Sequence, residues 1–233
     1  MSIAGNLAKI EDRIQNACTR AGRKREEITL MGVSKFVPLN LIDEAFGAGI
    51  RCFGESRVKE ASEKFENWKN RDEAQIHLIG SLQRNKAKNA ALFFDCIQSA
   101  DRDELIIELS KHANLRVQMR APLKVFLELH TGEETKSGYE NLDALFNAAE
   151  LLLKSGNMEP AGLMTMAPWT TDTVLIRSSF RQLAKAKAEL EKRFSDMHLS
   201  LSMGMSNDFE IAIEEGSNLL RIGSAIFKDD IRD

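Results

Sequence analysis

Short apolar runs alternate with amphipathic helical patterns along almost the whole chain, and this alternation restricts the fold more than any single motif. The strand-like runs lie at 28–35, 51–54, 76–80, 96–99, 123–130, 160–166, 199–205 and 219–227. Helical spacing covers 39–48, 57–69, 83–92, 103–113, 141–154, 174–194 and 209–215 between them. Strands joined by helices imply right-handed crossovers and a parallel sheet. Eight such units in 233 residues suit a single (β/α)8 barrel spanning residues 1–233, with one extra N-terminal helix. That helix reads from residue 2 to residue 21, with Ile3, Leu7, Ile10 and Ile14 on one face and Gly22 behind it. A doubly wound open sheet is the competing architecture, but no G-x-G-x-x-G follows the first strand. No linker, repeat or low-complexity tract marks a second domain.

Composition matters here mainly for what it excludes. A net charge of −3 gives no electrostatic reason to expect nucleic acid or an anionic membrane as partner. No apolar stretch approaches the ~18 residues a membrane helix needs. The N-terminus is amphipathic and lacks the apolar core of a signal peptide. Cys18, Cys52 and Cys96 are far apart and lack metal-ligand spacing. The expectation is a cytoplasmic protein, monomeric and without a metal.

Function in such a barrel gathers at the carboxyl ends of the strands. Those ends are rich in small, hydroxylic and charged residues, whereas the strands behind them are apolar. After the seventh strand stand Gly204 and Ser206; after the eighth, Gly223 and Ser224. Strand, small-residue turn, helix, strand, small-residue turn is how a βα barrel builds a phosphate site. Arg221 lies two residues before Gly223 and shares its face, so a permanent cation points into the barrel. The plain alternative is an arginine at a strand end, paired with a carboxylate. Lys35 ends the first strand on the face of Met31 and Val33, above an apolar base. Desolvation there would make its amine a nucleophile toward a carbonyl. A lysine that reaches solvent at a strand end is the alternative. Taken together, an amine, a phosphate cradle and an interior arginine suit a ligand with an aldehyde, a phosphate and a ring nitrogen, and pyridoxal 5'-phosphate is such a ligand. A barrel enzyme whose Lys35 forms an imine with a phosphosugar stays open beside this.

Seven ordered motifs carry a resemblance: VSKFVP (33–38), FGESRVKE (53–60), HLIGSLQRNK (77–86), TGEETKSG (131–138), GLMTMAP (162–168), LSMGMSND (201–208) and RIGSAIF (221–227). From about residue 30 to Phe227 the chain resembles the YggS/PROSC family of pyridoxal phosphate homeostasis proteins. The resemblance implies a barrel like the N-terminal domain of alanine racemase. It implies Lys35 as the site of the internal aldimine, and Ser206, Gly223 and Ser224 as the phosphate holders. It sets Arg221 against the pyridine nitrogen, Lys136 as a secondary lysine, and apo-enzymes as recipients of the cofactor. Departures from the usual wording are Ser56 for an asparagine, Lys59 for a glutamine, His130 for an asparagine, and the tail KDDIRD.

Other residues have plain readings. His77 and His130 sit near strand ends, as general bases or as hydrogen-bonded core histidines. Glu133 and Glu134 read as solvated. Met164, Met166, Met203 and Met205 read as packing, and Thr170, Thr171 and Asp172 as a helix cap. Racemisation needs two bases, and the single tyrosine, Tyr139, falls in a loop. With six residues after Phe227, no second domain is expected to supply another. A guanidinium keeps its proton and leaves a ring nitrogen unprotonated, which weakens the ring as an electron sink. The reading is a carrier of the cofactor rather than an enzyme.

Overall fold

A computed structural model describes residues 2–116, 121–132 and 137–227. Its strands are β1 (Thr29–Val33), β2 (Cys52–Glu55), β3 (Gln75–Leu78), β4 (Cys96–Ala100), β5 (Leu123–Glu128), β6 (Met158–Met164), β7 (Ser200–Ser202) and β8 (Leu219–Ile222). They form a closed barrel in sequence order, and every pairing, including β8 to β1, is parallel. The surrounding helices are α1 (Ile3–Ala21), α2 (Leu39–Gly47), α3 (Val58–Phe65), α4 (Ala87–Phe93), α5 (Asp103–Ala113), α6 (Leu142–Leu153), α7 (Thr173–Arg193), α8 (Phe209–Glu214) and α9 (Ser224–Phe227). The strand–helix alternation is thus a (β/α)8 barrel, with α1 as the additional helix.

Local chemistry accounts for α1. The Ser2 hydroxyl accepts a hydrogen bond from the Gly5 N–H at 3.2 Å, and Gly22 closes the other end with φ of 65°. The apolar face of Ile3, Leu7, Ile10 and Ile14 is buried, and the helix packs on α8 and α9. Burial of each such side chain stabilises by roughly 1.5–3 kcal/mol. Arg13 and Arg20 then pair with Glu210 and Glu214 of α8.

The eighth strand and the third helix are among the elements whose bounds differ from the sequence expectation. The eighth strand stops at Ile222, and Ser224–Phe227 is a helical turn rather than more strand. A short apolar run does not distinguish the two by period. Ile226 and Phe227 are buried, and the Asn6 amide donates to the Ile226 carbonyl at 2.9 Å. The third helix ends at Phe65 rather than 69. Trp68 folds back onto Phe46, Phe53 and Phe65, and its indole N–H donates to Asp43 at 2.8 Å.

Inside the barrel, Met31, Cys52 and Leu219 form one apolar cluster; Cys96, Phe126 and Met164 form another. Gly162 pairs with Phe126 in register, and a Cβ there would stand 2.3 Å from the ring. Toward the carboxyl ends the interior becomes polar, with Glu128, Ser202 and Arg221 all buried.

Candidate functional site

A cavity of 920 Å³ opens at the carboxyl ends of the strands, and Lys35, Ser206, Arg221, Gly223 and Ser224 all line it. Residues from the first turn of the barrel and from its last two therefore share one space.

Lys35 stands on a turn and not on the strand itself, because β1 ends at Val33. The turn is tied down behind it. Ser34 is fully buried; its N–H donates to the Gly54 carbonyl at 2.9 Å and its hydroxyl to Glu55 Oε1 at 2.7 Å. Lys64 from α3 donates to the Ser34 carbonyl and to Glu55 Oε1, each at 2.8 Å. Phe36 takes φ of 64°, the only non-glycine residue described with a positive φ, so the chain turns sharply just after the lysine. Lys35 itself is exposed. This corrects the expectation of an amine desolvated by an apolar base: the strand stops early and lifts the residue above the apolar layer.

Arg221 is 5% exposed and is held by oxygen atoms that carry no charge. Its Nη1 donates to the Ser202 carbonyl at 2.7 Å and the Ser202 hydroxyl at 2.8 Å, and its Nη2 donates to the Thr165 carbonyl at 2.8 Å. No carboxylate pairs with it among the described residues, so the paired strand-end alternative does not hold. Asp208 and Glu128 face it without contact; burial pushes its pKa down to about 10, and the two acids oppose that shift. It remains a cation at neutral pH. Its Nε has no hydrogen bond among the described residues.

The two serines meet at the opposite lip, with Ser224 Oγ 3.2 Å from Ser206 Oγ. Gly204 makes the seventh turn possible: its φ is 97°, and a Cβ would stand 2.6 Å from that of Ala212. Gly223 passes close to β1, where a Cβ would stand 3.2 Å from Val33 Cβ.

Acidic residues that the motifs did not single out complete the electrostatics. Asp208 lines the cavity, accepts from the Met205 N–H, and has its carboxyl pushed up by burial. Glu128 is 3% exposed, and burial raises its carboxyl to about 7, with Asp101 adding to the shift and Arg221 opposing it. An acid at the end of a strand, as in the LEL stretch around Glu128, was the available signal.

Several candidates lie elsewhere. His77 is in the barrel interior, hydrogen-bonded to Gln98 and Gln75, and burial lowers its pKa to about 4. His130 is half-buried beside Tyr139, whose carbonyl its N–H meets at 2.9 Å, and it does not line the cavity. Tyr139 is buried and its hydroxyl donates to Asp103; burial first, and then the Asp103 carboxylate, raises its pKa. Ser56 lines the cavity, whereas Lys59 is on the outside of α3 near Glu63. Met164, Met166 and Met205 line the cavity; Met203 faces the outer core. Asp172 caps α7 as expected. Lys136, Glu133, Glu134 and the tail from 228 lie outside the described residues. The three cysteines are buried and free. No described helix is long and apolar enough to cross a membrane.

Comparison with known proteins agrees with this geometry. The family model for the alanine racemase N-terminal domain matches residues 5–230. The pyridoxal phosphate homeostasis protein of Aquifex aeolicus is 40% identical over 232 residues, covering 97% of this chain and 98% of that one. The protein of the same name from Escherichia coli is 36% identical, with 97% and 95% covered. Among solved structures, PipY of Synechococcus elongatus with PLP bound superposes with a TM-score of 0.82 at 31% identity, covering 97% of this chain and all of that one. A barrel with a lysine, an arginine and a serine-lined lip on one cavity, matched over its length by these relatives, belongs to the pyridoxal phosphate homeostasis protein family, built on the alanine racemase N-terminal domain.

Proposed function

We propose that this protein binds pyridoxal 5'-phosphate in the mouth cavity and serves as its intracellular carrier and reservoir, without catalytic turnover. One observation carries the reading: Lys35, Arg221, Ser206, Gly223 and Ser224 line a single cavity. The donor set fits the cofactor. Pyridoxal phosphate, when bound, supplies an aldehyde that condenses with an amine with loss of water, a dianionic phosphate, and a ring nitrogen that accepts a hydrogen bond. Lys35 offers the amine from an exposed turn. Ser206 and Ser224 offer hydroxyls beside the first N–H groups of a helical turn, which have no acceptor within it. Arg221 keeps its Nε–H for an acceptor in the cavity.

The same residues argue against turnover. With a pKa of about 10, Arg221 holds its proton at neutral pH and donates only a hydrogen bond. Carbanion chemistry on the ring draws on a protonated nitrogen, which this arginine does not supply. The described cavity lining also has no histidine or tyrosine to act as a second base. The working unit we propose is one barrel domain spanning the chain, monomeric, in the cytoplasm, with cofactor-dependent apo-enzymes as recipients. Buried reduced cysteines are consistent with a reducing compartment.

The test is an absorption spectrum of the purified protein, then borohydride reduction and peptide mapping. Cofactor mapped to Lys35, with no exchange of amino-acid α-hydrogen, supports the carrier. A colourless protein that takes up no pyridoxal phosphate would overturn it.

A further inference from the structure

Behind Arg221 a file of hydrogen bonds crosses the barrel interior. Arg221 Nη1 donates to Ser202 Oγ at 2.8 Å, and Ser202 Oγ donates to Gln98 Oε1 at 2.6 Å. Gln98 Nε2 lies 2.8 Å from His77 Nδ1, and His77 Nε2 lies 3.2 Å from Gln75 Oε1. Ser202 and Gln98 are fully buried, and His77 is 4% exposed. Of these residues only Arg221 lines the mouth cavity, while Gln75 lies at the opposite end of the barrel.

Each link dictates the next. A guanidinium has donors and no acceptor, so it takes the oxygen of Ser202 and turns the hydroxyl hydrogen onto Gln98. Once the Gln98 carbonyl is engaged, its NH2 faces His77, and Nδ1 must carry a lone pair. The ring proton is then on Nε2, aimed at Gln75. All bonds run in one direction, and the file is intact only with His77 uncharged. Burial works to that end, pushing its pKa down to about 4 while Asp95 and Lys124, the charged groups facing it, act in opposite senses. Polar files sealed in a barrel are costly unless every member is satisfied, and this one is.

We propose that His77, Gln98 and Ser202 are positioning residues that lock the Arg221 guanidinium with its Nε–H toward the mouth cavity. The proposal deepens the cofactor-binding reading and rests on it for its purpose. Ser202 and Thr165 hold two guanidinium nitrogens, and the file behind Ser202 prevents that hydroxyl from rotating away. The ring-side donor is thereby aimed by residues that never touch the ligand.

The test begins without cofactor. Nitrogen-detected NMR of the protein should show His77 as the uncharged Nε2–H tautomer between about pH 5 and 8. The Nη groups of Arg221 should be slow to rotate in the parent protein and fast in Gln98→Leu. In Gln98→Glu the carboxylate still accepts from Ser202 but has no hydrogen for Nδ1, so His77 should gain a proton there. With pyridoxal phosphate, Gln98→Leu should still yield a reducible link at Lys35 but lose the cofactor faster, on the order of tenfold. A parent Nδ1–H tautomer, or Arg221 rotation unchanged in Gln98→Leu, would overturn the proposal. If Gln98→Leu does not fold, the parent tautomer and the near-isosteric Gln98→Glu decide it in the same way. A parent protein that takes up no cofactor would sink the carrier reading instead, and the NMR results would still judge the file.

Discussion

The hydroxyl of Ser34 donates to the Glu55 carboxylate at 2.7 Å, so the residue before Lys35 is bound to the end of the neighbouring strand. Glu55 is 1% exposed, and Lys64 completes a three-way junction with both. The Lys35 side chain is exposed, while the turn beneath it is held by these bonds.

Breaking that junction should therefore be expensive. Glu55→Ala leaves Lys64 charged and half-enclosed, and we expect a loss of about 3–5 kcal/mol in urea unfolding. Glu55→Gln keeps an acceptor for Ser34 and should lose less.

Anchor and cradle should separate by mutation. Lys35 is exposed, so Lys35→Ala should change stability by no more than about 0.5 kcal/mol while abolishing borohydride-fixed cofactor. Ser206→Ala with Ser224→Ala should leave fixation at Lys35 and speed release on the order of tenfold or more. Identical behaviour of the two variants would contradict this division of roles.

Glu128 predicts a pH dependence. Its carboxyl rises from the ordinary 4.5 to about 7 in the folded protein. Between those values the folded state binds more protons than the unfolded one, so this group's contribution falls as pH rises. It is fully present below pH 4.5 and lost above about 7. Glu128→Gln, a neutral mimic, should match the parent near pH 4 and exceed it at pH 8 by roughly 3 kcal/mol at most. Unfolding curves at the two pH values measure the difference.

Gly204 should tolerate no side chain. Its φ is 97°, and an added methyl would lie 2.6 Å from Ala212 Cβ, so Gly204→Ala combines strain with a clash. We expect a loss of about 1–3 kcal/mol in urea unfolding and weaker retention of cofactor, because the turn carries Ser206.

Much of the site is legible before any tertiary structure. Strand parity puts Arg221 and Gly223 on one face, and small residues after two successive strands mark the lip. The last strand reads too long from its residues because Ile226 and Phe227 are apolar in either conformation, and only their packing beneath α1 identifies a helical turn.

Local pattern is enough for the barrel, since period and alternation are properties of neighbouring residues. It is enough, too, to mark Lys35, Arg221, Ser206 and Ser224 as candidates, which the closed barrel brings to one cavity. The surroundings of those groups depend on distant partners. Ser202 meets Gln98 across 104 positions and Arg221 meets Thr165 across 56. Whether Lys35 is desolvated, whether Arg221 is paired, and whether His77 faces the cavity all follow from where strands end and how the barrel closes. Burial and hydrogen bonding are set by what the closed sheet brings together, and no single stretch of chain encodes that.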